Sequence, residues 1–111
     1  MKRTESRRST RLADQILREM ATALIEDVRD PRLELVTISG VALNADLSVA
    51  LISYTLSGDE ARMAEAAAGL EQAKGFLRTL LGQRLRMKFV PELRFARDTY
   101  LEDVVYGRPQ A

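Results

Sequence analysis

Between residues 73 and 90 stand five cations, Lys74, Arg78, Arg84, Arg86 and Lys88, with no carboxylate among them. Cations gathered in this way on a nearly neutral chain suit one chemistry above others, the neutralisation of a polyanion such as a nucleic-acid backbone. A second basic group, Arg3, Arg7, Arg8 and Arg11, lies at the N-terminus. The charge is +4 over residues 1–11, −7 over residues 12–72, +5 over residues 73–90 and −1 thereafter, so the net charge of +1 conceals a strong segregation. Gly75 interrupts the apolar run Leu70, Phe76, Leu77, Leu80 and Leu81, and a glycine inside a helix costs about 1 kcal/mol relative to alanine. Helical spacing resumes at once beyond it, which predicts two helices joined by a tight bend at Ala73, Lys74 and Gly75. Lys74, Gly75 and Arg78, with the amides that open the second helix, would then form a phosphate clamp. The competing reading is a packing kink without a ligand.

The chain has no histidine and no cysteine. Thiol nucleophiles, histidine-based triads, disulfides and the usual zinc sites are therefore excluded. Glu26, Asp27, Asp30 and Glu34 form a carboxylate cluster that could hold magnesium, or could simply be a solvated helix end. At 111 residues, 46% hydrophobic and 30% charged, the chain is sized for one globular domain. No apolar run approaches the ~18 residues of a membrane span, and no secretory apolar core opens the sequence. With zero cysteine, the expectation is a cytoplasmic protein with no membrane association.

The elements that must position these residues follow from periodicity. Residues 1–10 lack it and are expected to be a flexible basic arm, ordered on a polyanion or merely solvated. Ser9 or Thr10 can cap a first helix, in which Leu12, Ile16, Met20, Leu24 and Val28 recur every fourth residue. Asp30-Pro31 stops it. Val36 and Ile38 then alternate in one phase, and Val41 and Leu43 in the other, which predicts a β-bulge at Ser39-Gly40. Asn44-Ala45-Asp46 supplies a turn into a second strand at residues 47–56. Ser57-Gly58-Asp59 caps the next helix, whose narrow face is Met63, Ala66, Ala67 and Leu70. After the bent helical pair, alternation from Leu85 through Met87, Phe89, Leu93 and Phe95 predicts a half-buried strand with Arg84, Arg86, Lys88 and Arg94 outward. Pro91 belongs at a sheet edge or a strand start. Phe76, Phe89 and Phe95 are read as core.

The order helix, strand, strand, helix, bend, helix, strand resembles the KH-like fold of the second topological type, an α+β fold whose three-stranded sheet packs on helices. A GXXG loop, the backbone clamp of KH domains, is missing, and Ala73-Lys74-Gly75 takes its place. That junction, together with Val90-Pro91-Glu92-Leu93-Arg94-Phe95, Asp98, Asp30-Pro31-Arg32, Asn44-Ala45-Asp46-Leu47-Ser48 and Gly75-Phe76-Leu77-Arg78, is similar to the ribosome-binding factor A family. The resemblance implies a KH-like RNA-binding domain over residues 11–98, and the residues beyond it, 99–111, are read as a loosely ordered tail. It implies a non-enzymatic bacterial assembly factor without cofactor or metal. Such a factor binds the free immature small (30S) ribosomal subunit and its 16S rRNA, assists late maturation and processing of that RNA, and is linked to growth in the cold. The absence of a long heptad seam predicts a monomer. Two other classes remain open on the residues alone: a carboxylate-dependent nuclease, and a protein-interaction module that docks through the hairpin.

Overall fold

The computed structural model describes residues 2–107, with side chains from Arg7 onward. The first helix, α1, runs from Lys2 to Glu26. Ile16, Met20 and Leu24 are buried, and Leu12, Leu17 and Val28 pack against them. The every-fourth-residue stripe is therefore the face that α1 turns to the sheet. The helix begins at Lys2, not after Ser9 or Thr10, so residues 2–10 are helical where an arm was expected. No glycine or proline stops a helix there, and lysine, arginine and glutamate favour one.

Asp30 caps a single 3-10 turn, Pro31–Leu33, by accepting from the Arg32 amide at 3.0 Å. Strands β1 (Thr37–Leu43) and β2 (Val49–Thr55) pair antiparallel, with the register shift between Ile38 and Gly40 where the bulge was expected. Their turn is closed by the Val49 amide on Asn44 Oδ1 at 2.9 Å and the Ser48 amide on Asp46 Oδ1 at 3.1 Å. Ala50, Ile52 and Tyr54 of β2 are buried beneath the helices.

Helix α2 runs from Glu60 to Arg84, capped by Asp59, which accepts from the Arg62 amide at 2.8 Å. It passes through Ala73, Lys74 and Gly75 without a break, so the expected bend and second helix are one continuous element. Leu70, Leu77 and Leu81 are all buried at spacings of seven and four, a stripe that requires a single helical phase. Burying a leucine stabilises by about 2 kcal/mol, which outweighs the single glycine. At the C-terminal end the Met87 amide donates to Gly82 O at 3.0 Å, with Arg86 left-handed at φ 53°. That is the geometry in which glycine is usual. Residues 85–91 are consequently irregular, and the strand expected from Leu85 is confined to β3, Glu92–Arg97. β3 follows Pro91 directly and pairs parallel to β2 in the order β1-β2-β3, with α2 as the crossover that parallel pairing demands.

The expected loose tail contains α3, Thr99–Tyr106, between its cap Asp98 and the left-handed Gly107. The architecture is thus α-β-β-α-β-α. Glu102 on α3 is 0% exposed. Its Oε2 accepts from the Leu56 amide at 2.9 Å, and Oε1 lies 2.8 Å from Arg97 Nη2. A buried carboxylate with both partners in place pins α3 to the end of β2. Among the described residues no helix is long and apolar enough to cross a membrane.

Removing Glu102 strands the Arg97 charge and the Leu56 amide. Glu102→Ala is expected to lower stability by about 3 kcal/mol in urea unfolding, and Glu102→Gln, which keeps an acceptor, by less. Equal stabilities for the wild type and both variants would show that α3 is not held in this way.

Candidate nucleic-acid interface

On a helix, positions three, four and seven apart share a face. Gly75, Arg78, Thr79 and Gly82 of α2 are such a set, and they floor an open groove of about 520 Å³ whose far wall is Lys88, Phe89 and Val90. Two glycines on that face do different work. A Cβ on Gly82 would come within 3.1 Å of Val90, so its absence lets the 85–91 loop close onto the helix. A Cβ on Gly75 would meet nothing within 4 Å. Its backbone lies bare to solvent, and the Gly75 carbonyl accepts from Thr79 Oγ1 at 3.1 Å.

Arg78 fixes the wall. Its Nε donates to Pro91 O at 3.1 Å and its Nη2 to Val90 O at 2.9 Å. Carbonyls leave the guanidinium charge intact, and the side chain remains exposed. Lys88 stands 5.6 Å from the centroid of the Phe89 ring, within cation-π range. Phe89 is 81% exposed and Phe76 48% exposed, in contrast to the core positions expected for both. Phe89 lies in the irregular loop, where strand alternation does not apply, and Phe76 lies one residue off the buried stripe. Phe95 does pack against the core.

The cations singled out in the sequence divide into groups. Arg78 and Lys88 line the groove with Gly75. Lys74 is beside it, ion-paired to Glu71 at 2.9 Å. Glu92 is held below the usual carboxylate range, first by its hydrogen bond to Arg94 and also by the nearby charges of Lys74 and Arg78. Arg86 is exposed on the left-handed residue that ends α2, outside the groove lining. Arg84 points elsewhere. Its Nη2 lies 2.9 Å from Asp27 Oδ2 and its Nη1 3.6 Å from Glu19 Oε1, tying the end of α2 to α1. Seven residues beyond Leu77, it continues that line to the exposed end of the helix, where the two carboxylates of α1 hold it. Arg7, Arg8 and Arg11 are exposed on the first turns of α1, far along the sequence from the groove. The Arg3 side chain falls outside the described residues.

The carboxylate cluster is pulled apart by its own cations. Asp27 faces Arg84, and Asp30 is bound by Arg32 at 2.7 Å, which holds its carboxyl below the usual range, chiefly through the side-chain hydrogen bond. Among the described residues no three metal-ligating side chains converge. Periodicity could not reveal Arg32, Arg62 and Gln72, which lock the 3-10 turn onto α2, because their partners are backbone carbonyls and distant side chains.

A family model for ribosome-binding factor A matches residues 8–106. Ribosome-binding factor A of Lactobacillus johnsonii is 49% identical over 98 residues, spanning 87% of this chain and 77% of that protein. The protein of the same name from Thioalkalivibrio sulfidiphilus is 42% identical over 91 residues, spanning 82% and 70%. The crystal structure of ribosome-binding factor A from Thermus thermophilus superposes with a TM-score of 0.71 at 31% identity, covering 80% of this chain and 94% of that one. A Thermus thermophilus ribosome-binding factor A model fitted into a cryo-EM map of a 30S complex gives 0.63 at 30% identity, covering 76% and 88%. The same helix order, the same three-stranded sheet and this degree of identity lead to one conclusion: the chain belongs to the ribosome-binding factor A family.

Proposed function

We propose that this protein binds the free, immature small ribosomal subunit through its 16S rRNA, assists late maturation and processing of that RNA in the cytoplasm, and does so as a monomer without catalysing a reaction. The observation that carries the reading is the bare backbone of Gly75 at the floor of a groove walled by Arg78, Lys88 and Phe89. A sugar-phosphate chain can approach a helix closely where no side chain stands. Arg78 and Lys88, with Lys74 and Arg86 nearby, neutralise phosphates. Phe89 offers an exposed ring on which an unpaired base can stack, an interaction worth about 1–3 kcal/mol. Support comes also from the relative fitted into a 30S complex. Exposed Arg7, Arg8 and Arg11 add a helical basic extension, with Arg3 at its start. Recognition of this kind reads backbone and shape, so the protein acts by stabilising an RNA conformation. Growth in the cold, where misfolded RNA is slow to escape, is the condition under which its loss is expected to tell most.

Filter binding to small subunits across a salt series separates the contributions. Lys88→Ala is expected to reduce the salt slope by roughly one, whereas Phe89→Ala weakens binding with the slope unchanged. Arg84→Ala is expected to destabilise the fold with little effect on the slope, because its charge is spent on α1. Gly75→Leu is the sharpest variant: it gains helix propensity of about 1 kcal/mol in open space, so the protein becomes more stable while subunit affinity falls. Unchanged affinity in Gly75→Leu and Lys88→Ala together would remove the groove from the interface.

A further inference from the structure

Ahead of its first core contact, α1 carries a length of helix that the core does not need. Residues 2–11 hold no apolar side chain, and Leu12 is the first described residue to pack against the core, yet the helix begins at Lys2. At 1.5 Å per residue this spur is about 15 Å long. Helices in proteins draw most of their stability from a packed apolar face, so the spur adds little to the fold. Its direction is set by two contacts with α2. A Cβ on Gly69 would come within 2.9 Å of Leu33 and 3.3 Å of Asp30 Oδ2, so the turn that follows α1 lies beside the first half of α2. At the far end of α2, Arg84 reaches back to Asp27 and Glu19. α1 therefore runs antiparallel to α2, and its first turns continue past the C-terminal end of α2, where exposed Arg86 stands.

Arg7, Arg11 and Arg18, at spacings of four and seven, share the solvent face of α1, with exposed Gln15 and Thr22 beside them and Arg8 on the flank. The row is about 16 Å long. Over residues 7–22 four arginines stand against two carboxylates. One of these, Glu19, lies 3.6 Å from Arg84, and the other, Asp14, is on the ridge itself. Among the described residues none of the four arginines has a carboxylate within ion-pair distance. Unpaired guanidinium groups repeated along a rigid helix suit a row of phosphates. The ridge carries no aromatic ring, so an unpaired strand would find nothing there on which to stack its bases, in contrast to the Phe89 wall of the Gly75 groove. A bilayer would need an exposed apolar face, and of the described apolar side chains of α1 only Ile25 is exposed. A straight polar ridge fits the wide, shallow minor groove of an RNA double helix, which is recognised by shape through phosphates and 2′-hydroxyls. We propose that the outer face of α1 is a second RNA site that lies along double-helical RNA, while the Gly75 groove holds an unpaired strand, so that the protein sits at a junction between the two. The assignment of the unpaired strand rests on the reading of the Gly75 groove above, and the assignment of the duplex to α1 does not.

Three RNA probes test the proposal: a blunt hairpin of about 16 base pairs, an unpaired strand of about 12 nucleotides, and the hairpin carrying that strand as an overhang. The wild type is expected to bind the overhang probe about tenfold or more tighter than either part, because the second contact becomes intramolecular. The triple variant Arg7→Ala, Arg11→Ala, Arg18→Ala puts a good helix former at exposed positions and keeps the fold. It should lose about tenfold or more on the hairpin, with a salt slope lower by roughly three, and keep its affinity for the unpaired strand. Lys88→Ala is expected to do the reverse. Asp14→Asn, which removes the carboxylate from the ridge, should tighten hairpin binding severalfold. Unchanged hairpin affinity and slope in the triple variant, equal losses on hairpin and unpaired strand, or no preference of the wild type for the overhang probe would each overturn the proposal. Failure of the wild type to bind small subunits while it still binds the hairpin through α1 would overturn the subunit reading and leave the duplex site standing.

Discussion

The burial of Leu70, Leu77 and Leu81 on one unbroken helix is the constraint from which the rest of the structure follows. Once these three side chains face the sheet and α1, the direction of every other residue on α2 is settled by helical geometry. Arg84 continues the same line and meets Glu19 and Asp27. Gly75, Arg78, Thr79 and Gly82 fall together on a neighbouring face and make a groove. Gly69 meets the 3-10 turn. A break at Gly75 would let the two halves of the helix rotate independently and would uncouple the groove from the half that seats the 3-10 turn.

Arg78 translates this packing into a surface. By donating to the carbonyls of Val90 and Pro91 it holds an otherwise irregular loop against the helix, and it does so without surrendering its charge. Lys88 and Phe89 are thereby presented on a rigid wall. Preorganisation of this sort reduces the side-chain and loop ordering that binding would otherwise require. Electrostatic segregation acts alongside it. Arg78 and Lys88 line the same groove, so positive charge that the near-neutral total conceals is gathered at one place on the surface.

Much of the fold was legible in the sequence because its signals were local and periodic. The α1 stripe, the bulge before Gly40, the Asn44 turn, the Asp59 cap and the place of Pro91 at the start of a strand each rest on a handful of adjacent residues. Errors arose where long-range packing outweighed local preference. Glycine at position 75 weakens a helix, yet the heptad spacing of Leu70, Leu77 and Arg84 already carried the continuous phase, and it also placed Arg84 on the side of the helix that meets α1. Alternation through Leu85, Met87 and Phe89 imitated a strand, although the chain there turns through a left-handed arginine where glycine would be the usual cue. The short α3 owes its place to a buried Glu102 whose partners, Arg97 and the Leu56 amide, are brought close only by the finished sheet. Lys74, Arg78 and Lys88 were recognisable as a run of cations, but which of them share a surface was a matter of helical phase and loop closure.

Because the chain contains no cysteine, a single one can carry a tethered iron chelate that cleaves nearby RNA, and this gives the most direct measurement of where RNA lies. Gln83→Cys places the probe on the rim of the Gly75 groove, and Ala61→Cys places it on the first turn of α2. With the small subunit bound, the account predicts localised cleavage of 16S rRNA from position 83 and little or none from position 61. Strong cleavage from position 61 with none from position 83 would contradict it.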